Sequence, residues 1–454
     1  MKPIQHSIFA LSAVAFAAAL SVACGGHGDE ASAGTLPAAA QTDADDQADT
    51  AALDATGHAY ARADRDARAK GLPSLYGTAE TLSKTLAPAP IAKSDRYPGV
   101  VQSNLVASTG AYGAPMIEPA LKNAWGIAIR PAGFGGHFWV GAANTGLSIQ
   151  YVGDVGDQPL FQDELKIVET GGAVSGVAFN PGTGFTITQQ HPNGAITAGT
   201  KFFFANLTGT VTAWTERKRA DGGFDHPADS AVVVDGTTRG SSFSGVAVSP
   251  DGDRMYAADF GADAQVRTYG HAFDEQAPLA NPFRPPAGAQ PGGFEAFNVQ
   301  TIDRSTFVMY GRHVPPGTSP LPAEGRLAEF DDQGRFVARW HGRGFLNYPW
   351  GVAKAPENYG LYAGCLIVGN FGDGTLVAFH PRYRVALDYV RDARGQKVVI
   401  DGLWGLQFGN GASLGEADHM YFAAGPEKET QGLFGKLQAN PNTLPLLAGV
   451  SLCR

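Results

Sequence analysis

The chain has 454 residues, a formal net charge of −9 and 17% charged residues, with the basic ones scattered rather than striped. That balance speaks against a nucleic-acid-binding surface. Only three cysteines occur, Cys24, Cys365 and Cys453, so any disulfide framework is sparse.

The chain opens "MKPIQHSIFALSAVAFAAALSVACGG", with a basic start and an apolar run from Ile8 to Ala23. A run of that length behind a lysine reads as a secretory signal peptide over residues 1–23 rather than a membrane span. The order Leu20-Ser21-Val22-Ala23-Cys24 resembles a bacterial lipoprotein signal, in which the cysteine is lipidated and becomes the mature N-terminus. Lipidation at Cys24 would tether the protein to a membrane without a spanning helix. Gly25 in place of an aspartate is compatible with outer-membrane sorting. The expected location is the cell envelope, lipid-anchored; an ordinary cleaved signal and secretion is the alternative.

From residue 24 to about 95 the text is rich in Ala, Asp, Gly and Thr, as in "LPAAAQTDADDQADTAALDATG". Such a segment buries too little apolar surface to offset its chain entropy, which predicts a low-complexity, disordered tether. A short helix fits only around "TAALDATGHAYARADRDARAKG".

Beyond it, over 96–454, Gly, Pro, aromatic and β-branched residues dominate and no long 3.6-residue period appears. One short core recurs: "AWGIAIRP" at Ala124, "VSGVAFNP" at Val174, "FSGVAVSPDG" at Phe243, "AFNVQTID" at Ala296, "PWGVAKAP" at Pro349 and "LWGLQFGN" at Leu403. Aligned on Gly126, Gly176, Gly245, Asn298, Gly351 and Gly405, the steps are 50, 69, 53, 53 and 54 residues. A near-constant step of this size, with several short strands per unit, predicts an all-β, six-bladed β-propeller with an insertion in its second unit. The core should be the innermost strand of each blade, its glycine admitting a neighbouring backbone near the axis. Trp125, Trp350 and Trp404 are expected to pack between blades. Either "YPGVVQSNLVAS" (97–108) or the tail "LPLLAGVSLC" should supply the last blade's outer strand. Cys365 and Cys453 can pair and pin that tail, or remain free thiols.

"NLVAS", "NAWGIA", "HFWVGAANTG", "YPWGVAKAPENYG", "LIVGNFGDGTLVAFHP", "IDGLWGLQFGNG" and "YFAAGPEKETQGLFGKL" resemble a family of exported bacterial β-propellers, some of which carry a PEP-CTERM sorting tag. The resemblance spans about residues 98–438 and implies fold and export but no reaction. This chain lacks the hydrophobic and basic C-terminal tail of the tagged members. More distantly it is similar to NHL-repeat modules and to calcium-dependent lactonases of the SMP-30 and paraoxonase kind.

In such a blade the residues entering the inner strand share one face with those ending the second strand. Asn123, Asn347 and Asp401 should therefore lie near Asn144, Asn206, Asp259 and Asn370. Amide and carboxylate oxygens at a channel mouth suit calcium, which would polarise a carbonyl as a lactonase or esterase requires. Turns need the same residue types, and only two of the seven are acidic. Other signals are thin. "GASLG" around Ser413 matches a nucleophile elbow but no helix follows it. His191 sits in a loop, and the 11 histidines show no zinc spacing. Two functions remain: a monomeric binding or scaffold module for an extracellular protein or carbohydrate, and a metal-dependent hydrolase at the channel mouth.

Overall fold

The computed structural model describes residues 44–75, 87–88, 90–284, 293–312 and 324–454. The expected signal peptide over 1–23 and the expected lipidation site Cys24 lie outside the described residues. The predicted architecture is present: six blades stand around one axis, five of four antiparallel strands and the sixth extended by a short parallel fifth strand, Met116–Ile117.

Blade 1 runs outward through Ala124–Ala128, Phe138–Ala142, Leu147–Tyr151 and Ile167–Glu169. Blade 2 uses Val174–Phe179, Phe202–Asn206, Thr210–Trp214 and Ala231–Asp235. Blade 3 uses Phe243–Val248, Met255–Asp259, Gln265–Tyr269 and Glu275–Gln276. Blades 4 and 5 begin with Phe294–Ile302 and Pro349–Lys354. The long step in the repeat is explained inside unit 2. A hairpin of Thr186–Gln189 with Ile196–Gly199, and a short pair of Arg217–Lys218 with Phe224–Asp225, are added there.

Blade 6 closes the ring. It consists of Leu403–Phe408, His419–Ala424 and Leu433–Ala439, and its fourth strand is Val100–Ala107 from the start of the domain. That strand pairs antiparallel with the chain's last strand, from Val100 opposite Ala439 to Ala107 opposite Leu433. Pairing first strand with last removes an open edge and joins the two ends of the domain. The C-terminal tail supplies no strand. It turns at Leu444–Leu446 and runs to blade 5, where Cys453 is disulfide-bonded to Cys365 with the Cα atoms 5.2 Å apart.

The repeated glycine has the role its spacing implies. A Cβ on Gly126 would lie 2.6 Å from Ser175 O, one on Gly176 2.6 Å from Val246 N, and one on Gly351 2.5 Å from Trp404 O. A Cβ on Gly405 would lie 2.5 Å from Trp125 O, which closes the circle between blades 6 and 1. In blade 4 Asn298 takes this place, and its Nδ2 donates to Trp350 O at 2.7 Å. The clefts between blades hold the apolar core. Between blades 1 and 2, for example, Trp139 stacks on Phe202 at 4.2 Å and lies 4.7 Å from Trp214.

Part of the expected tether is a docked element. Helix α1, Ala44–Ala69, packs on the propeller through Ala63 and Ala67, and the chain after it buries Leu72 and Leu75. Tyr60 Oη and Tyr97 Oη both donate to Leu75 O, at 2.7 and 3.0 Å. Tyr60, Ala63, Asp64 and Ala67 form a stripe at helical spacing. The polar average of the segment conceals this stripe, and small alanines let the helix lie close to the blade.

Candidate functional site

The inner strands start at one face of the disc, here the turn face, and end at the opposite, far face. Just inside the turn face the axis is filled by aromatic side chains. Trp125 and Trp404 stack with centroids 3.8 Å apart, Phe371 stacks on the other side of Trp404 at 3.8 Å, and Trp350 lies 6.2 Å from Trp125. Phe297, Phe260 and Tyr348 complete the cluster. Trp350 Nε1 donates across the channel to Ser244 O at 2.9 Å. The three tryptophans thus pack on the axis, not between blades as expected, because residues such as Trp139, Phe202 and Trp214 already fill those clefts.

The seven polar residues do lie at the ends of strands on the turn face, yet they do not converge. Asp259 is fully buried in an ion pair with Arg267 Nε at 2.8 Å, and its other oxygen accepts Ser242 N and Gly261 N. Asn370 Oδ1 accepts Asn347 N at 3.0 Å, and its Nδ2 donates to Phe345 O and Thr375 Oγ1. Asn347 Nδ2 reaches Asp373 at 3.3 Å. Asn206 Nδ2 donates to Thr170 O. Two buried oxygens, Asn206 Oδ1 and Asn347 Oδ1, find no donor among the described residues. They belong to blades 2 and 5, on opposite sides of the ring, and cannot share one ion. The arrangement does not fit a calcium cradle. Among the described residues no group of three or more His, Cys, Asp or Glu is placed to hold a metal ion.

The remaining three candidates meet at a feature that sequence reasoning missed. Glu427, Lys428 and Glu429 are three successive L-residues in the left-handed region, with φ of 56°, 57° and 66°. Such a turn costs roughly 1–2 kcal/mol per residue and needs external support. Asp401 Oδ2 accepts Glu427 N at 2.9 Å, Asn144 Nδ2 donates to Glu429 O at 2.6 Å, and Asn123 Nδ2 donates to Glu429 Oε2 at 2.9 Å. Tyr112 Oη adds a bond to Glu427 Oε1 at 2.9 Å. Burial pushes the Glu429 carboxyl up to about 7, against the opposing effect of the Asn123 amide. The only sequence hint was "GPEKETQG", a stretch whose motif value came from resemblance, since left-handed runs of Glu and Lys have no compositional mark.

At the far face the axis is open. A cavity of about 360 Å³ lies between all six inner strands, reaching inward to Trp350. A second hollow of about 520 Å³ adjoins it between blades 4, 5 and 6, sharing Gln300, Asp303 and Gln407 in its wall. Neither was predicted, because the hydrophobic repeat marks the inner strands without showing where side chains leave the axis empty. Ser413, the elbow-like serine, lies in a connector where its carbonyl accepts Gly153 N; His191 stands at a turn of the blade 2 hairpin. Among the described residues no helix is long and apolar enough to cross a membrane.

No family model matches the chain. An uncharacterized protein of Acanthamoeba polyphaga mimivirus is 28% identical over 350 residues, covering 74% of this chain and 79% of that protein. A second from the same virus is 27% identical over 328 residues, covering 70% of this chain and 81% of that one. These viral relatives lend no support to a bacterial lineage or to PEP-CTERM-tagged kin. Among solved structures, an auxiliary nutrient binding protein from Bacteroides thetaiotaomicron aligns at 11% identity and a TM-score of 0.41, covering 70% of each chain. The periplasmic gluconolactonase of Pseudomonas aeruginosa aligns at 16% identity and a TM-score of 0.35, covering 61% of this chain and 85% of that one.

Proposed function

We infer that the protein is an exported, lipid-anchored binding module that captures an extracellular glycan, or a protein bearing one, rather than a hydrolase. The observation that carries this reading is the axial cavity at the far face, a preformed concave site on a rigid scaffold. A calcium-dependent lactonase would need the turn-face oxygens directed at one point, whereas they are engaged in separate turns. Export rests on the apolar run before Cys24, and the anchor on the order of residues around it.

The test uses the full chain, expressed with its own leader and purified in detergent. Retention of defined glycans on an array supports the reading. A chain that retains none, while hydrolysing lactones or esters with saturation kinetics, overturns it. Mass analysis of the mature N-terminus checks the anchor; an unmodified start elsewhere removes it.

A further inference from the structure

The chemistry of the cavity wall defines the ligand more closely than the presence of a cavity does. Each inner strand is the terminal strand of its sheet, so one edge of its backbone has no ladder partner and faces the axis. Such edges present N–H and C=O groups that must find hydrogen bonds. Three amide side chains already meet some of them. Asn298 Nδ2 donates to Trp350 O at 2.7 Å, while Gln300 accepts from Val352 N at 3.3 Å and donates to Leu406 O at 3.4 Å. Among the described residues Gln407 donates only to the adjacent Phe408 O, at 3.0 Å. The two contacts of Gln300 are long, and a ligand can replace them at little cost.

The wall is two-sided. Blades 1 to 3 contribute chiefly aliphatic and aromatic side chains, among them Ile127, Val177, Phe179, Val246 and Val248, with one hydroxyl, Ser249, at the strand end. Blades 4 and 6 contribute the amides of Asn298, Gln300 and Gln407, interleaved with Val299 and Leu406. The one ionisable side chain in the lining is Asp303, which is exposed at the rim and neutralised by Lys354 Nζ at 2.5 Å. A purely apolar ligand would leave the strand edges and amides unmet, and a charged one would find no counter-ion inside. An uncharged molecule with one apolar face and one edge of donors and acceptors satisfies both walls.

We propose that the axial cavity binds a neutral sugar ring, its C–H face against blades 1 to 3 and its hydroxyl edge against the amides of blades 4 and 6. This rests on the binding-module reading and deepens it by assigning the site and the charge class of the ligand. A site of about 360 Å³ is within the range, about 300–1,000 Å³, usual for small-molecule pockets.

The experiment is saturation-transfer NMR and calorimetric titration of the full chain with methyl glycosides of neutral hexoses, a matched uronate and a matched amino sugar. The expected result is saturable binding of a neutral glycoside and none of the charged pair. Gln407→Ala should weaken that binding about tenfold, the loss of one hydrogen bond. Val248→Phe, which fills the cavity from blade 3, should abolish it. If Val248→Phe fails to fold, the half-exposed Gln407→Ala still decides the matter. Equal binding of the uronate overturns the charge class. Binding that is indifferent to both substitutions overturns the site and leaves the binding-module reading standing. A chain that binds no glycoside and no arrayed glycan overturns the proposal and that reading together.

Discussion

Asn123 joins Glu429 to the axial aromatic cluster: its Nδ2 donates to Glu429 Oε2 at 2.9 Å while its Oδ1 accepts the Trp404 indole N–H at 3.0 Å. One amide thereby orients a half-buried carboxyl and a buried tryptophan at once. Because burial holds the Glu429 pKa at about 7, above the ordinary 4.5, the folded state favours the protonated form. The folded chain therefore binds more protons than the unfolded one between these values, and stability falls as pH rises through that window. The upper bound is about 3 kcal/mol, from about 1.4 kcal/mol per pKa unit. Denaturant melts at pH 5 and pH 8 should show a smaller difference in Glu429→Gln than in the parent chain. An identical difference in both would mean that Glu429 is ionised in the folded protein at pH 5.

The same pair shows where sequence reading stops. The six blades were legible because one physical need, backbone approach at the axis, recurs as glycine at a fixed step. Asn298 could be placed only by that step, since its amide replaces the missing contact in a different chemical form. Asn123, Asn144 and Asp401, read from the sequence as residues of one face, share the left-handed turn at 427–429 as their hydrogen-bond partner. A turn of that hand depends on partners distant in the chain, and no local pattern encodes it. The docking of α1 was illegible for a related reason. The only small apolar residues of its stripe are Ala63 and Ala67, and alanine on a helix face is as common in water as in a core.

Gly176 tests the axial packing most directly. A Cβ there would lie 2.6 Å from Val246 N and 2.8 Å from Gly245 Cα, both backbone atoms that cannot rotate away. Overpacking of this kind typically costs about 1–3 kcal/mol. Gly176→Ala and Gly351→Ala should each lower the melting temperature by several degrees. Gly110→Ala, where nothing lies within 4 Å, should leave it nearly unchanged. Equal effects at all three positions would show that the strands do not meet at the axis as described.

The Cys365–Cys453 disulfide spans a sequence separation of 88 and holds the tail on which α1 rests. Arg62 donates to Arg454 O at 2.8 Å, and Lys70 to Ala448 O. Loop-closure entropy for a separation of this size corresponds to about 4.6 kcal/mol as an upper value. Replacing both cysteines by alanine should lower stability by a large part of that amount. It should also release the helix, read as faster hydrogen exchange at Leu75 N, which is bonded to Asp64 Oδ1 at 2.6 Å. Destabilisation without faster exchange there would show that α1 docks independently of the tail.

Asp259 separates a structural role from a metal-binding one. It is fully buried, and Arg267, itself 4% exposed at the side chain, reaches Asp259, Asp263 and Glu275 with its three nitrogens. Removing the buried carboxylate leaves the guanidinium poorly compensated and two backbone N–H groups, of Ser242 and Gly261, without an acceptor. Asp259→Ala should therefore cost about 3 kcal/mol in metal-free buffer, measured by urea unfolding. A calcium chelator should not change the melting temperature of the parent chain, because ion pairing and not calcium satisfies this residue. A parent chain that loses several degrees on chelation, with Asp259→Ala insensitive to the chelator, would return the turn face to metal chemistry and reopen the hydrolase reading.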